Sequence, residues 1–246
     1  MGVVIKRRAI VAGGNPRMKV PVTGIQAGTL AVGSVVKLME GGAAVEYLVV
    51  NQGIPSNSSL YDASCDGTWL LRKDIRELLA YNSSENNSYK ESAAHNYIND
   101  TFLNLFGGME QTVIKQVKIP YVNGTVGAGI ASGASGLSAK AFLLSGYEIG
   151  IGGADYLPRD GAKLDYFDQI ASADPKRIAY LNGSASFWWL RSPYTYRAST
   201  TNVWYVYNNG SCNTIRSTYQ YGVRPALILY SNALFDETTM LLKGVA

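Results

Sequence analysis

Between positions 187 and 226 a polar stretch is bracketed by apolar residues: Phe187, Trp188, Trp189 and Leu190 before it, Val223, Pro225 and Ala226 after it. Inside, VWYVYN alternates with a period of two, so Trp204 and Val206 share one face of a strand and Tyr205 and Tyr207 the other. Asn208-Asn209-Gly210-Ser211 is a tight-hairpin signal, because Asn-Gly accepts positive φ. The pattern predicts consecutive antiparallel strands over 186–191, 203–208, 211–217 and 223–230. If Trp204 and Val206 face a core, Tyr205 and Tyr207 face solvent.

The side chains within this frame are unusual. Six of the 17 tyrosines stand at 194, 196, 205, 207, 219 and 221, whereas Lys, Glu and Met are absent between Tyr194 and Tyr221. Tyr and Arg supply rigid contact area, and Ser, Thr and Asn supply adaptable hydrogen bonds, as in a paratope. The expected contact set is Tyr194, Tyr196, Arg197, Ser199, Thr201, Tyr205, Tyr207, Ser211, Asn213, Thr214, Arg216, Thr218, Tyr219 and Tyr221. The expected core beneath it is Phe187, Trp188, Trp189, Leu190, Trp204, Val206, Val223 and Leu227. Arg191 and Arg224, close to prolines in the frame, are expected to pair or hydrogen-bond structurally.

The remaining composition excludes several functions. Charged residues make up 16% against a usual ~25%, and the net charge is only +4. The one basic cluster, Lys6, Arg7 and Arg8, reads as a solvated tail, so no nucleic-acid partner is expected. One histidine and two cysteines, Cys65 and Cys212, are too few for a zinc site or a disulfide scaffold, and the thiols are expected to be unpaired. No cofactor or metal is expected. Neither a cleaved signal nor an apolar run long enough for a membrane helix is found, so membrane insertion is not expected. Asp155, Asp160, Asp165 and Asp168 read as solvated or capping carboxylates. Gly127–Gly133 lacks the ending of a phosphate loop. These absences favour a non-enzyme.

Along the chain, residues 1–30 read as an N-terminal arm or small β element and 31–246 as one ligand-binding domain. Residues 33–51 predict a hairpin around Gly41-Gly42, and an extended segment begins at Gly67. The run SSENNSYKES is polar and turn-like. Ser92 caps a predicted helix over 92–106 that stops at Gly107-Gly108 and carries His95 in a structural or exposed role. Residues 123–139 predict a long loop or linker, AFLLSGYEIG a buried strand, and 161–172 a short helix.

FLLSGYEIG, LDYF, RIAYLNG, FWWLRSP and YGVRPALIL, in that order, resemble a widespread family of prophage and bacterial proteins of unassigned function. VVKLMEGG, GTWLLRKD, YINDTFLN and KIPY are similar to phage-encoded members, so the resemblance covers roughly residues 31–230. It implies a C-type-lectin-like fold related to formylglycine-generating enzymes: an α+β domain with irregular loops, antiparallel strands and one or two short helices. The segment at about 186–225 resembles the variable region of proteins diversified by a retroelement, in which asparagine codons become NNY mixtures. Such mixtures exclude Lys, Glu, Gln, Met and Trp. From Tyr194 to Tyr221 only Trp204 and Gln220 fall outside the permitted set.

The resemblance implies a phage tail-associated receptor-binding protein on the virion. Its partner would be a host cell-surface protein or polysaccharide, and residues 1–30 would attach it to another virion protein. A bacterial cell-surface location is the alternative, and monomer and trimer both stay open. A fixed-specificity adhesin or lectin is the competing reading, although residues 187–230 contain no Asp or Glu for calcium. A formylglycine-generating enzyme needs a close pair of thiols, and Cys65 and Cys212 share no motif.

Overall fold

The computed structural model describes residues 23–56, 58–122, 124, 129–170, 172–196 and 199–246. Most of the regular structure in these residues is β, with two short α-helices, Ala93–Tyr97 and Gly108–Val113. Two five-stranded sheets organise it. The first runs Ala141–Phe142, Ala226–Leu229, Thr68–Arg72, Ala43–Gln52, Val35–Glu40, all antiparallel. The second runs Cys212–Arg216, Asn202–Val206, Trp188–Pro193, Gln220–Val223, Glu77–Ala80, with one parallel contact, Trp188 opposite Gly222.

The 33–51 hairpin forms as its pattern predicts, with Glu40 opposite Ala43 across Gly41-Gly42. Trp69 sits at the heart of the first sheet, edge-on to Tyr61 and Phe142 at 5.6 and 5.5 Å. Leu70, Leu71, Val49, Val50, Leu227 and Ile228 are fully buried beside it. Each such side chain contributes about 1.5–3 kcal/mol by leaving water.

The final predicted strand, 223–230, is two strands in different sheets. Gln220–Val223 belongs to the second sheet and Ala226–Leu229 to the first. Their partners Glu77–Ala80 and Thr68–Arg72 change sheets at the same level, with Arg76 N–H donating to Val223 O and Arg72 N–H to Pro225 O. Pro225 has no N–H for a ladder, which suits a crossing point. Arg224 explains the rest of the motif. Its Nε and Nη2 donate to the carbonyls of Arg72 and Lys73 at 2.9 and 3.0 Å, and its guanidinium lies 4.9 Å from the Trp188 ring. Burial lowers its pKa to about 10.

Other expectations are corrected. Ser92 does cap its helix, accepting from His95 N–H at 3.0 Å. The α-helix, however, ends at Tyr97, widens into a π turn, Ile98–Phe102, and then tightens into a 3-10 turn, Leu103–Leu105. Gly108, read as part of a stop, begins the second helix. No helix forms in the described part of 161–172, because its amides serve distant carbonyls: Leu164 N–H donates to Glu148 O and Tyr166 N–H to Val50 O. The buried strand at AFLLSGYEIG shrinks to Ala141–Phe142. Residues 129–139 are not a linker. Ile130–Ala131 pairs with Tyr121–Val122, and Leu137–Ala139 with Val117–Ile119, while residues 123 and 125–128 of that stretch lie outside the described residues.

Ile25–Gln26, assigned to the N-terminal arm or small β element, pairs with the strand Ala233–Phe235, and residues 1–22 lie outside the described residues. Among the described residues no helix is long and apolar enough to cross a membrane.

Candidate ligand-binding face

The frame places Trp188–Pro193 at the centre of the second sheet. Trp188, Trp189, Leu190, Val206, Val223 and Leu227 are fully buried and Trp204 is 8% exposed, as expected of a core, whereas Phe187 is only partly covered. The indole N–H groups of Trp188 and Trp189 donate to the carbonyls of Arg177 and Leu79, both at 2.9 Å. Gly222 is required by close approach, because a Cβ there would lie 2.6 Å from Phe187 O and 2.7 Å from an Ile75 methyl.

The hairpin between Asn202–Val206 and Cys212–Arg216 turns at Asn208-Asn209-Gly210, with Gly210 at φ +81°. Its tip is tied down: Asp174 N–H donates to Gly210 O at 3.2 Å.

The expected contact residues do not form one surface. Pairing of Tyr205 with Asn213 and Trp189 places these on one face, and pairing of Trp204 with Thr214 puts Thr214 and Arg216 on the other. On the first face the rings cluster. Phe187 lies 4.6 Å from Tyr207 and 5.0 Å from Tyr221, Tyr221 lies 4.7 Å from Tyr205, and Tyr219 approaches Tyr221 at 6.3 Å. Such pairs add about 0.5–1.5 kcal/mol beyond area burial. Tyr207 and Tyr219 project into solvent, 39% and 51% exposed. Tyr205 is the correction: it is 5% exposed. Its strand has neighbours on both sides, so rings from Phe187, Trp189 and Tyr221 cover it. Burial pushes its hydroxyl up to about 12, so it stays a neutral donor.

A second aromatic group joins Tyr194 and Tyr196 to Tyr156, which the sequence reading missed. Tyr156 is 47% exposed and adopts a left-handed φ of +61°. Its carbonyl accepts from the N–H and Oγ1 of Thr195 at 3.1 and 2.8 Å. Only the motif resemblance spanning its region hints at it. Ser199 and Thr201 are half-buried in the connection from Pro193 to Asn202, Ser211 follows the hairpin tip, and Thr218 is exposed in the turn after Arg216. Arg216 pairs at the surface with Glu85 at 3.2 Å. Arg197 lies outside the described residues.

Beneath these loops lies a buried ionic network. Arg191 makes a bidentate pair with Glu148, at 2.6 and 2.7 Å, and donates to the carbonyls of Pro120, Leu143 and Asp160. Burial alone would disfavour its charge, but Glu148 raises its pKa. This uses the Glu of FLLSGYEIG and the Arg of FWWLRSP. Tyr61 donates to the same carboxylate at 2.9 Å. Asp160, expected among solvated carboxylates, is fully buried and accepts from Ser192 Oγ at 2.9 Å. Desolvation raises its pKa to about 7, against the pull of Arg191. Asp155, Asp165 and Asp168 are exposed as expected.

Both cysteines are free thiols, and burial pushes each up to about 12. His95 is buried against Tyr89, and desolvation lowers it to about 4. Among the described residues no three His, Cys, Asp or Glu side chains cluster as a metal site. The exposed contact residues offer neutral rings, hydroxyls and amides together with the Arg216 guanidinium.

The family described as "Domain of unknown function (DUF6273)" matches residues 66–231. The chain belongs to this family. The DUF6273 match spans the crossing strands of both sheets, the buried Arg191–Glu148 network and the whole aromatic face. No curated protein and no solved structure matches the chain.

Proposed function

We propose that the chain is a ligand-binding protein, not an enzyme, with a C-type-lectin-like domain whose surface over about 186–225 is diversified by a retroelement. In this reading it is attached to a phage tail and recognises a host surface molecule, protein or polysaccharide. The observation that carries it is the division of labour along one segment. The frame residues Trp188, Trp189, Leu190 and Val223 are fully buried, while Tyr207, Asn213, Arg216, Thr218 and Tyr219 face solvent. Replacing exposed side chains changes stability within about ±0.5 kcal/mol, so such positions tolerate diversification. The codon pattern supports the same division. Of the two residues outside the NNY set, Trp204 is buried and fits that division, whereas Gln220 is exposed and does not.

One observation favours the second reading, an adhesin of fixed specificity. Tyr205 and Tyr221 carry permitted codons, yet their rings hold the cluster together, and emptying a buried aromatic site costs about 3–5 kcal/mol.

Sequencing the codons for residues 180–230 across a replicating population decides between them. Substitutions concentrated at Tyr207, Asn213, Arg216, Thr218 and Tyr219, with Trp189, Gly222 and Pro225 unchanged, are the expected result. Background-level variation throughout refutes diversification and leaves the fixed adhesin.

A further inference from the structure

The polar run after the strand Glu77–Ala80 has a role that its composition does not announce. Asn87 is fully buried, and its side chain points into the connection between Pro193 and Asn202. One end of its carboxamide faces three carbonyls, Ser199 O and Asn202 O at 3.0 Å and Tyr194 O at 3.4 Å. Three acceptors around one atom identify it as the NH2 group. The main-chain N–H of Asn87 donates to a fourth carbonyl of the connection, Thr200 O, at 2.8 Å.

Neighbouring residues extend the cradle. Asn82 N–H donates to Ser217 O at 3.0 Å, and Ser217 Oγ donates to Ser84 O at 3.1 Å. Behind Asn87, Gly124 packs so closely that a Cβ there would stand 2.5 Å from Ser88 N and 2.7 Å from Asn87 Oδ1.

We infer that Asn87 is the positioning residue of the two ends of this connection, Tyr194 on one side and Ser199–Asn202 on the other, holding them through main-chain carbonyls and so independently of their side chains. Every acceptor for Asn87 is present whatever residue stands at 194, 199, 200 or 202. A buried carbonyl left without a donor is costly. Removing the Asn87 side chain takes its donor from Tyr194 O and Ser199 O and leaves Asn202 O with the Tyr194 N–H alone, whereas changing the side chains around it takes none. The inference deepens the proposed function, on which its biological meaning rests: a surface that changes its residues needs a scaffold that does not read them. Asn87 itself lies outside the segment that would change.

The test is hydrogen exchange of the full chain without ligand, read at the amides of Tyr194, Ser199 and Ser217, whose acceptors are Asn202 O, Tyr196 O and Thr201 O. Asn87→Leu keeps nearly the same shape and removes both side-chain donors without adding a charge. Expected is at least about tenfold faster exchange at these three amides, with the amides of Trp188–Leu190 within about twofold of the parent. A second chain keeps Asn87 and carries Tyr196→Ser, Ser199→Thr, Thr200→Ser and Thr201→Ser together; its three amides stay within about threefold. Unchanged loop exchange in Asn87→Leu overturns the inference. So does lost protection in the side-chain-replaced chain, and that result stands even if Asn87→Leu fails to fold. Both measurements are independent of the codon survey, so either proposal can fail without the other.

Discussion

The two five-stranded sheets share a crossing pair of strands yet are stabilised differently. In the first sheet, aliphatic side chains such as Val49, Val50, Leu70, Leu71 and Ile228 are fully buried along strands that run through the core. In the second, burial is concentrated in the central strand, Trp188–Pro193, and declines outward to Cys212–Arg216, where no residue is fully covered. The contrast teaches that a sheet can keep one strand as its anchor and leave an outer strand only partly packed, here through Cys212 and Ile215. That gradient gives the second sheet room to carry variable chemistry.

The largest expected effects test whether the anchor is as deep as the first sheet. Leu70→Ala and Trp188→Ala each remove a fully buried side chain, and both are expected to cost about 3–5 kcal/mol in denaturant unfolding. Tyr205→Ser is expected to cost about 3 kcal/mol, because its ring is covered although its pattern marks it as outward-facing. A cost for Tyr205→Ser below about 1 kcal/mol would break the gradient and return that residue to the exposed surface.

The next effect concerns the buried network under the second sheet's loops. Asp160 has a folded-state pKa of about 7, well above the usual carboxylate value. The folded state therefore binds a proton that the unfolded state releases between about pH 4 and 7, and stability falls as pH rises through that window. His95 works in the opposite sense, being lowered to about 4, so its contribution is lost as pH falls below its ordinary value. Comparing Asp160→Asn with its parent cancels the His95 contribution. The variant is expected to gain on the parent with rising pH, by on the order of 3 kcal/mol between pH 4 and 8. A pH-independent difference would show that Asp160 does not titrate in that window.

The smallest effects are expected at the rim. Tyr207→Ser and Tyr219→Ser should each change stability by no more than about 0.5 kcal/mol, a contrast with Tyr205→Ser that sharpens the comparison within one aromatic cluster. A loss above about 2 kcal/mol at either position would mean that the exposed rings support the fold and are not free to vary.

Local pattern carried a good deal of this. The hairpin at Gly41-Gly42, the Ser92 cap, the turn ending at Gly210 and the core residues of the frame follow from periodicity and from residues with special backbone preferences. These signals act over a few residues and need no partner. The mistaken helix at 161–172 fails for the complementary reason. Leu164 and Tyr166 give their amides to distant carbonyls, and such commitments leave no trace in neighbouring residues.

The sequence by itself determined which residues alternate, where the chain turns, and that one segment combines an apolar frame with tyrosines and small polar residues. Only the tertiary structure decided that Val223 and Ala226 belong to different sheets, that Tyr205 is covered while Tyr207 is not, that Asp160 is buried beside Arg191 and Ser192, and that Asn87 donates to the carbonyls of Tyr194, Ser199 and Asn202. A period of two assigns a side chain to a face. Whether that face meets solvent or another ring depends on the neighbouring strands, which the chain brings in from far along its length.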